Sequence, residues 1–247
     1  MKYSIIGAGI VGQALHKQAP NSSLFARNDI IPNENDVLVV AAPTGNRIVV
    51  NNNPKKDLED CNRIIELVNQ CQYNQLVYIS TVDVYKTHNS SYGNNRQYLE
   101  NTLAKLPDSY IVRLPSLIDQ SVNKNILHDL KTKLWLNKIC LDSTIQWYPL
   151  KRLKCDIEHL INNNIKYQNL CSKPICNREI VQKFFPELVE QLDINQLIPA
   201  HYNIEPHTIP LKEIWQSFEE FFIDHCVNLV YNNKTYTGEL NAKQQNF

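Results

Sequence analysis

Glycine is scarce in this chain, with six residues in 247, and neither internal repeats nor long linkers interrupt it. Net charge is absent as well. Lys plus Arg and Asp plus Glu both number 25, and the pI is near 7, which disfavours a general nucleic-acid binder or a protein of anionic membrane surfaces. No apolar run approaches the roughly 18 residues of a membrane span, and the N-terminal residues lack the apolar core of a signal peptide. The expectation is a soluble, cytoplasmic protein without membrane partners. Seven cysteines, an odd number, are scattered at Cys61, Cys71, Cys140, Cys155, Cys171, Cys176 and Cys226. Most lie inside apolar patterns, where Cys acts as a small hydrophobe, so they read as reduced thiols. Cys171 and Cys176 are the closest pair, but no second pair or suitably spaced His completes a metal site.

What glycine there is stands together. Gly7, Gly9 and Gly12 fall within six residues, directly after the apolar run Tyr3-Ser4-Ile5-Ile6 and before an apolar-periodic segment through Leu15. Strand, G-x-G-x-x-G turn and helix start form the arrangement that a dinucleotide pyrophosphate requires. Gly7 permits the turn, Gly9 lets the backbone approach the phosphates, and Gly12 lets the helix pack against the strand. The anion would face the N-H groups and positive dipole end of that helix, opened by Ile10 and Val11.

Residues 22–26 read as a second strand, followed by Arg27-Asn28-Asp29. An Arg at this end favours the 2'-phosphate of NADP, whereas an acidic side chain selects NAD. Arg27 lies 20 residues after Gly7 and Asp29 is its NAD-favouring competitor; a simply solvated Arg27 is the plain alternative. Only ten residues separate Ala26 from the third strand, 37–41, too few for the usual crossover helix. Ala41, Ala42 and Pro43 then leave room for the cofactor. A helix at 57–69, a strand at 76–80, a helix at 92–106 and a strand at 110–114 continue the alternation. The pattern predicts a doubly wound parallel α/β sheet of Rossmann type. Beyond it, helices are expected at 126–136 and 156–162, strands at 144–148 and 166–170, an amphipathic segment at 177–185 and a late helix at 209–226 that includes His225. The last ten residues read as a frayed tail.

The fourth strand ends in Ser80 and Thr81, and ligands of open α/β sheets sit just outside the carboxyl ends of the strands. On the next helix Tyr92 and Arg96 stand four apart, hence on one face, heading the stripe that Leu99, Leu103 and Leu106 continue. A phenol beside a cation and strand-end hydroxyls suggests a general acid whose pKa the cation lowers. A merely structural Tyr92 and Arg96 pair is the alternative.

These segments resemble the extended short-chain dehydrogenase/reductases, the NAD-dependent epimerase/dehydratase family. Ser80-Thr81-Val82-Asp83-Val84-Tyr85 is similar to that family's Ser-Ser-x-x-x-Val-Tyr with one residue fewer. Tyr92 through Glu100 matches Tyr-Gly-x-x-Lys-x-x-x-Glu with Arg96 in place of Lys, and Val112-Arg113-Leu114-Pro115 resembles a further family strand end. Counting back from Val84-Tyr85, the resemblance assigns Thr81 as the active-site hydroxyl. The shorter glycine turn, the shorter connection from Thr81 to Tyr92 and the exchanged Lys resemble the family's atypical branch, in which some members bind nucleotide without turning over.

The reading that follows is a Rossmann domain over 1–140 and a substrate-side lobe over 141–247. The resemblance implies an NAD(P)-dependent oxidoreductase or epimerase acting on a nucleotide-activated sugar or similar small carbonyl or alcohol, with NADP favoured and NAD the alternative. Tyr92, Arg96, Thr81 and Ser80 are the candidate catalytic residues. Gly7, Gly9, Ile10, Val11, Gly12, Arg27, Ala41, Ala42 and Pro43 are the candidate cofactor-binding residues. Arg152, with Trp147 as an aromatic wall, is the candidate holder of a substrate diphosphate, against the plainer reading of a solvated basic face. A small-molecule partner is expected, no nucleic acid, and a homodimer is left open. The competing function is a nucleotide-binding sensor or scaffold of the same fold.

Overall fold

The computed structural model describes residues 1–32, 34–195 and 197–223. His225, Cys226 and the tail read as frayed lie outside the described residues.

Five strands, β1 (Tyr3–Ile6), β2 (Ser23–Phe25), β3 (Glu34–Val40), β4 (Gln72–Thr81) and β5 (Ser109–Leu114), join the edge strand Tyr167–Asn169 in one parallel sheet. Its order is β2-β1-β3-β4-β5 and then the edge strand, the doubly wound arrangement that the alternation predicts. Four helices belong to its first half: α1 (Ile10–Gln18), α2 (Arg47–Asn52), α3 (Pro54–Gln70) and α4 (Ser91–Leu103). The connection from β2 to β3 crosses β1 without a helix, as its shortness requires. Strand order therefore reverses between β1 and β3, and the crevice outside their carboxyl ends is where ligands of such sheets bind.

Both faces of the sheet are covered. On one, Ile6, Leu38, Val40, Leu76, Tyr78 and Ile111 pack with Cys61, Ile64 and Val68 of α3 and Leu99 and Leu103 of α4. Side chains alternate along a strand, so the other face meets α1 and the helix Leu153–Asn162. The four residues Val37 to Val40 are each 0% exposed, as in a sheet buried on both sides.

The chain divides into two compact units, and their segments interleave instead of separating near residue 140. The sheet unit takes Met1–Leu117, Tyr148–Ser172 and Ile204–Ile209; the second unit takes Ile118–Trp147, Lys173–Asn203 and the residues from Pro210 onward. The late helix, Leu211–Phe221, lies in the second unit with Asn177–Phe184. There Phe184, Phe222 and Phe218 meet at ring distances of 5.0 and 6.5 Å. The helix expected over 126–136 ends at Thr132, with a separate turn at Leu136–Lys138. Lys133 and Trp135 carry positive φ between them. The strand expected over 144–148 is two short pieces, Thr144–Ile145 and Trp147–Pro149.

Candidate functional site

The glycine turn leaves β1 with Gly7 at φ +113°, in the region that disfavours L side chains. A Cβ there would also lie 2.5 Å from the Ala41 carbonyl oxygen, and one on Gly12 would lie 1.9 Å from that of Gly7. Both positions are closed by backbone. Gly9 differs: its Cβ would meet nothing within 4 Å, so only a ligand gains from its bareness. Gly9 is the N-cap of α1 and makes no side-chain cap, and the first-turn N-H groups of a helix have no intrahelical acceptor. Ile10 and Val11 open that turn, half-buried. Ala41 follows β3 and donates its N-H to the Ile6 carbonyl at 2.8 Å, so Ala41, Ala42 and Pro43 run beside the glycine turn. These residues fit a dinucleotide pyrophosphate.

Arg27 follows β2, and its guanidinium is paired with Asp60 of α3, Nη1 to Oδ2 at 3.1 Å. It is thus partnered already, not simply solvated, although its side chain is 52% exposed. Asp29 turns back on its own loop, where its carboxylate accepts the Ala26 N-H at 2.7 Å.

Ser80 and Thr81 have different partners. Ser80 shares the face of Tyr78, under α4, and donates to Glu100 Oε2 at 2.7 Å. Glu100 also accepts from Arg113 Nε at 3.0 Å, whose Nη1 donates to the Tyr85 hydroxyl at 2.6 Å. Ser80, proposed from the sequence as a catalytic hydroxyl, is thus engaged in this buried network. Thr81, at the end of β4, accepts the Asp83 N-H at 3.2 Å, and lies beside the Tyr92 phenol, whose ionised form it favours.

Tyr92 sits in the first turn of α4. Ser90 caps that helix by accepting the Gly93 N-H at 3.3 Å, and Asn51 of α2 accepts the Tyr92 N-H at 3.0 Å. Arg96 lies one turn on, as its spacing predicts, but its charge is engaged elsewhere. Its two Nη atoms reach the two Asp57 oxygens at 2.9 and 2.8 Å, and Nη2 also reaches the Thr44 carbonyl at 2.7 Å. Its guanidinium carbon lies 4.7 Å from the centroid of the Tyr92 ring, so it packs on the ring. Burial pushes the phenol above its usual value; Arg96 and then Arg47 pull it down without reversing the shift, and Asp83 adds to the rise. The expected lowering is therefore corrected, because desolvation of a residue 7% exposed outweighs the cation.

Charged residues that no motif announced complete the surroundings. Arg47 opens α2 and holds Asp83 at 2.5 Å, while Asp57 of α3 answers Arg96. The one local signal was Asn46, which caps α2 by accepting the Val49 N-H at 3.3 Å. Arg152 pairs with Asp156 one turn on, Nη2 to Oδ1 at 3.0 Å, and Tyr148 donates to the same carboxylate at 2.8 Å. Trp147 is 0% exposed and packs edge-on against Phe218 at 5.2 Å. An indole in a core cannot wall a ligand site without repacking, and that assignment is corrected.

No family model matches the sequence, and no curated protein sequence matches it. Solved structures match in fold. RMD from Pseudomonas aeruginosa, in complex with NADPH, aligns with a TM-score of 0.60 at 14% identity, over 82% of this chain and 87% of that one. UDP-glucose 4-epimerase from Thermotoga maritima, with UDP-glucose, aligns at 0.59 and 11% identity over 91% and 99%. The NAD-dependent NDP-hexosamine 5,6-dehydratase TunA aligns at 0.60 and 13% identity over 84% and 86%. At such identities the likeness is one of fold: this chain is built on the Rossmann-type plan that these structures share.

Proposed function

We propose that this protein is an NAD(P)-dependent oxidoreductase or epimerase of the extended short-chain dehydrogenase/reductase type, acting on a carbonyl or alcohol carbon of a small molecule. The observation that carries the proposal is the placement of Thr81, at the end of β4, beside the buried Tyr92 phenol, in the same sheet unit as the bare Gly9 turn after β1. Gly7, Gly9, Ile10, Val11 and Gly12 would hold the pyrophosphate, with Ala41, Ala42 and Pro43 alongside. A bound nicotinamide dinucleotide supplies or accepts hydride at the substrate carbon. The chain's own part is to hold the substrate oxygen at Thr81 and to give or take its proton at the Tyr92 hydroxyl. A phenol kept protonated by burial suits the donor direction, reduction of a carbonyl. A nucleotide-activated sugar is the substrate we favour, in keeping with the UDP-glucose and NDP-hexosamine named for two fold neighbours.

NADP is the cofactor we favour. Arg27 stands at the end of β2 with its side chain half exposed, and a charge-assisted bond to the 2'-phosphate would favour NADPH over NADH by roughly tenfold to a hundredfold. Asp60→Asn, which releases Arg27 from its ion pair, widens that preference.

The engagement of Arg96 with Asp57 favours a second reading, a nucleotide-binding sensor that has lost turnover. The deciding experiment titrates NADPH and NADH calorimetrically into wild type and Tyr92→Phe, then follows NADPH consumption with a panel of 4-keto nucleotide sugars. Equal binding by both proteins with consumption by wild type alone supports the enzyme. Equal binding with no consumption supports the sensor, and no binding of either dinucleotide refutes both.

A further inference from the structure

The segment that follows β3 is fastened to α4 at two points. Near its start the Thr44 carbonyl accepts Arg96 Nη2 at 2.7 Å. Near its end the Asn51 side chain accepts the Tyr92 N-H at 3.0 Å. Arg96 is held on more than one side. Its two Nη atoms also reach the two Asp57 oxygens, and Asp57 Oδ2 accepts Asn95 Nδ2 at 2.9 Å. Both side chains of the pair are 4% exposed, so neither water nor salt competes for these bonds. The guanidinium is thereby fixed between α3, α4 and the Thr44 carbonyl. It also lies over the Tyr92 ring, its carbon 4.7 Å from the centroid. At the other end, the Ala41 N-H donates to the Ile6 carbonyl at 2.8 Å, and the Ala41 carbonyl oxygen is so close to Gly7 that a Cβ there would lie 2.5 Å from it. Backbone packing and hydrogen bonds thus run from the glycine turn through residues 41–44 to Arg96 and the Tyr92 ring. The whole path lies in the sheet unit.

We propose that Arg96 is a positioning residue that couples the glycine turn to Tyr92: a diphosphate seated on that turn settles residues 41–44, and the Thr44 carbonyl passes the change through the guanidinium to the Tyr92 ring. The identity of the diphosphate as part of a dinucleotide rests on the function proposed above. Such coupling is carried by packed side chains and hydrogen bonds that cannot move independently. Arg suits this task better than Lys. Its planar fork sends donors in fixed directions to two elements at once while its face packs on an aromatic ring, whereas an ammonium is a compact point charge on a flexible stem. The proposal thus gives Arg96 a task at the position where the resemblance leads one to expect Lys.

The test titrates the full chain with adenosine diphosphate, which carries the diphosphate but neither the nicotinamide nor its ribose, so that any response at Tyr92 is relayed by the protein. NMR follows the Thr44 carbonyl carbon and the Tyr92 ring carbons, the latter assigned by their loss in Tyr92→Phe, and NADPH is titrated in parallel. In wild type both signals should shift and saturate together. In Arg96→Lys the diphosphate should still bind and still shift the Thr44 carbonyl, while the Tyr92 response is lost. If Arg96→Lys fails to fold, Arg96→Met/Asp57→Leu, which removes both buried charges and keeps the apolar bulk, makes the same comparison. A Tyr92 response that persists without Arg96, or one that is missing in wild type although adenosine diphosphate and NADPH both bind, overturns this inference alone. Failure of wild type to bind adenosine diphosphate, NADPH or NADH refutes the cofactor reading and the coupling with it.

Discussion

Arg96 donates four hydrogen bonds, to both Asp57 oxygens, to the Thr44 carbonyl and to the Cys61 sulfur at 3.5 Å. An ammonium at this position has no planar fork to match the Asp57 carboxylate and could not reach all four acceptors. Arg96→Lys should therefore lose stability here, although Lys is the residue that the resemblance leads one to expect. Asp57→Ala, which leaves the guanidinium buried and unpaired, should cost about 3–5 kcal/mol, a fall in Tm on the order of 10 °C. A melting temperature within experimental error of wild type would show that the pair holds nothing together. The glycines make a sharper contrast. Gly12→Ala puts a Cβ into the Gly7 carbonyl and should destabilise the fold, while Gly9→Val meets no protein atom and should leave Tm near wild type yet abolish dinucleotide binding. Circular dichroism melts paired with NADPH titration separate the two, and retained affinity in Gly9→Val would remove the phosphate from this turn.

At the scale of elements, α2 carries more of the site than its six residues suggest. Through Asn51 it accepts the Tyr92 N-H and the Ser90 hydroxyl, the latter at 3.4 Å, and through Arg47 it grips Asp83. Asn51→Ala removes the acceptor for an N-H of the first turn of α4, which no intrahelical carbonyl can satisfy. Hydrogen exchange at Tyr92 and Gly93 should accelerate, on the order of tenfold, with the sheet amides unchanged. Uniform acceleration across the sheet would instead mean that α2 stabilises the whole unit. The α2 segment was not legible in the sequence, because six residues carry too little periodicity to register. The start of α3 at Pro54, three residues before the first residue assigned from the apolar stripe, was missed for a related reason: the stripe begins only after the capping turn.

For the whole molecule, the buried proton-carrying groups predict an alkaline limit. Burial pushes the Cys61 thiol from 9.0 up to about 11, with Arg96 opposing, and the Cys171 thiol from 9.0 up to about 12. Burial also raises the Tyr3 and Tyr78 phenols. The native state keeps protons that the unfolded chain releases, so this contribution is complete below about pH 9 and is lost as pH climbs through 11 to 12. Urea unfolding under reducing conditions should give a midpoint that is level near neutrality and falls steeply above pH 9. Cys61→Ala should make that decline shallower, and a midpoint unchanged to pH 11 would contradict the burial of these thiols.

The glycine turn, the alternation of strand and helix, the helixless link from β2 to β3 and the one-turn spacing of Tyr92 and Arg96 were all determined by sequence alone. Each depends on local chemistry: a positive φ, an apolar period, a length too short for a helix. The partners of the charged side chains were decided by tertiary structure. Arg96 and Asp57 are 39 positions apart, and their pairing follows from α3 and α4 packing side by side on one face of the sheet. The same holds for Arg47 with Asp83, for Arg27 with Asp60, and for Trp147, whose aromatic neighbour Phe218 comes from the far end of the chain. A side chain's type says which bonds it can make, but the packing of elements distant in sequence selects the partner and sets how much water remains around it.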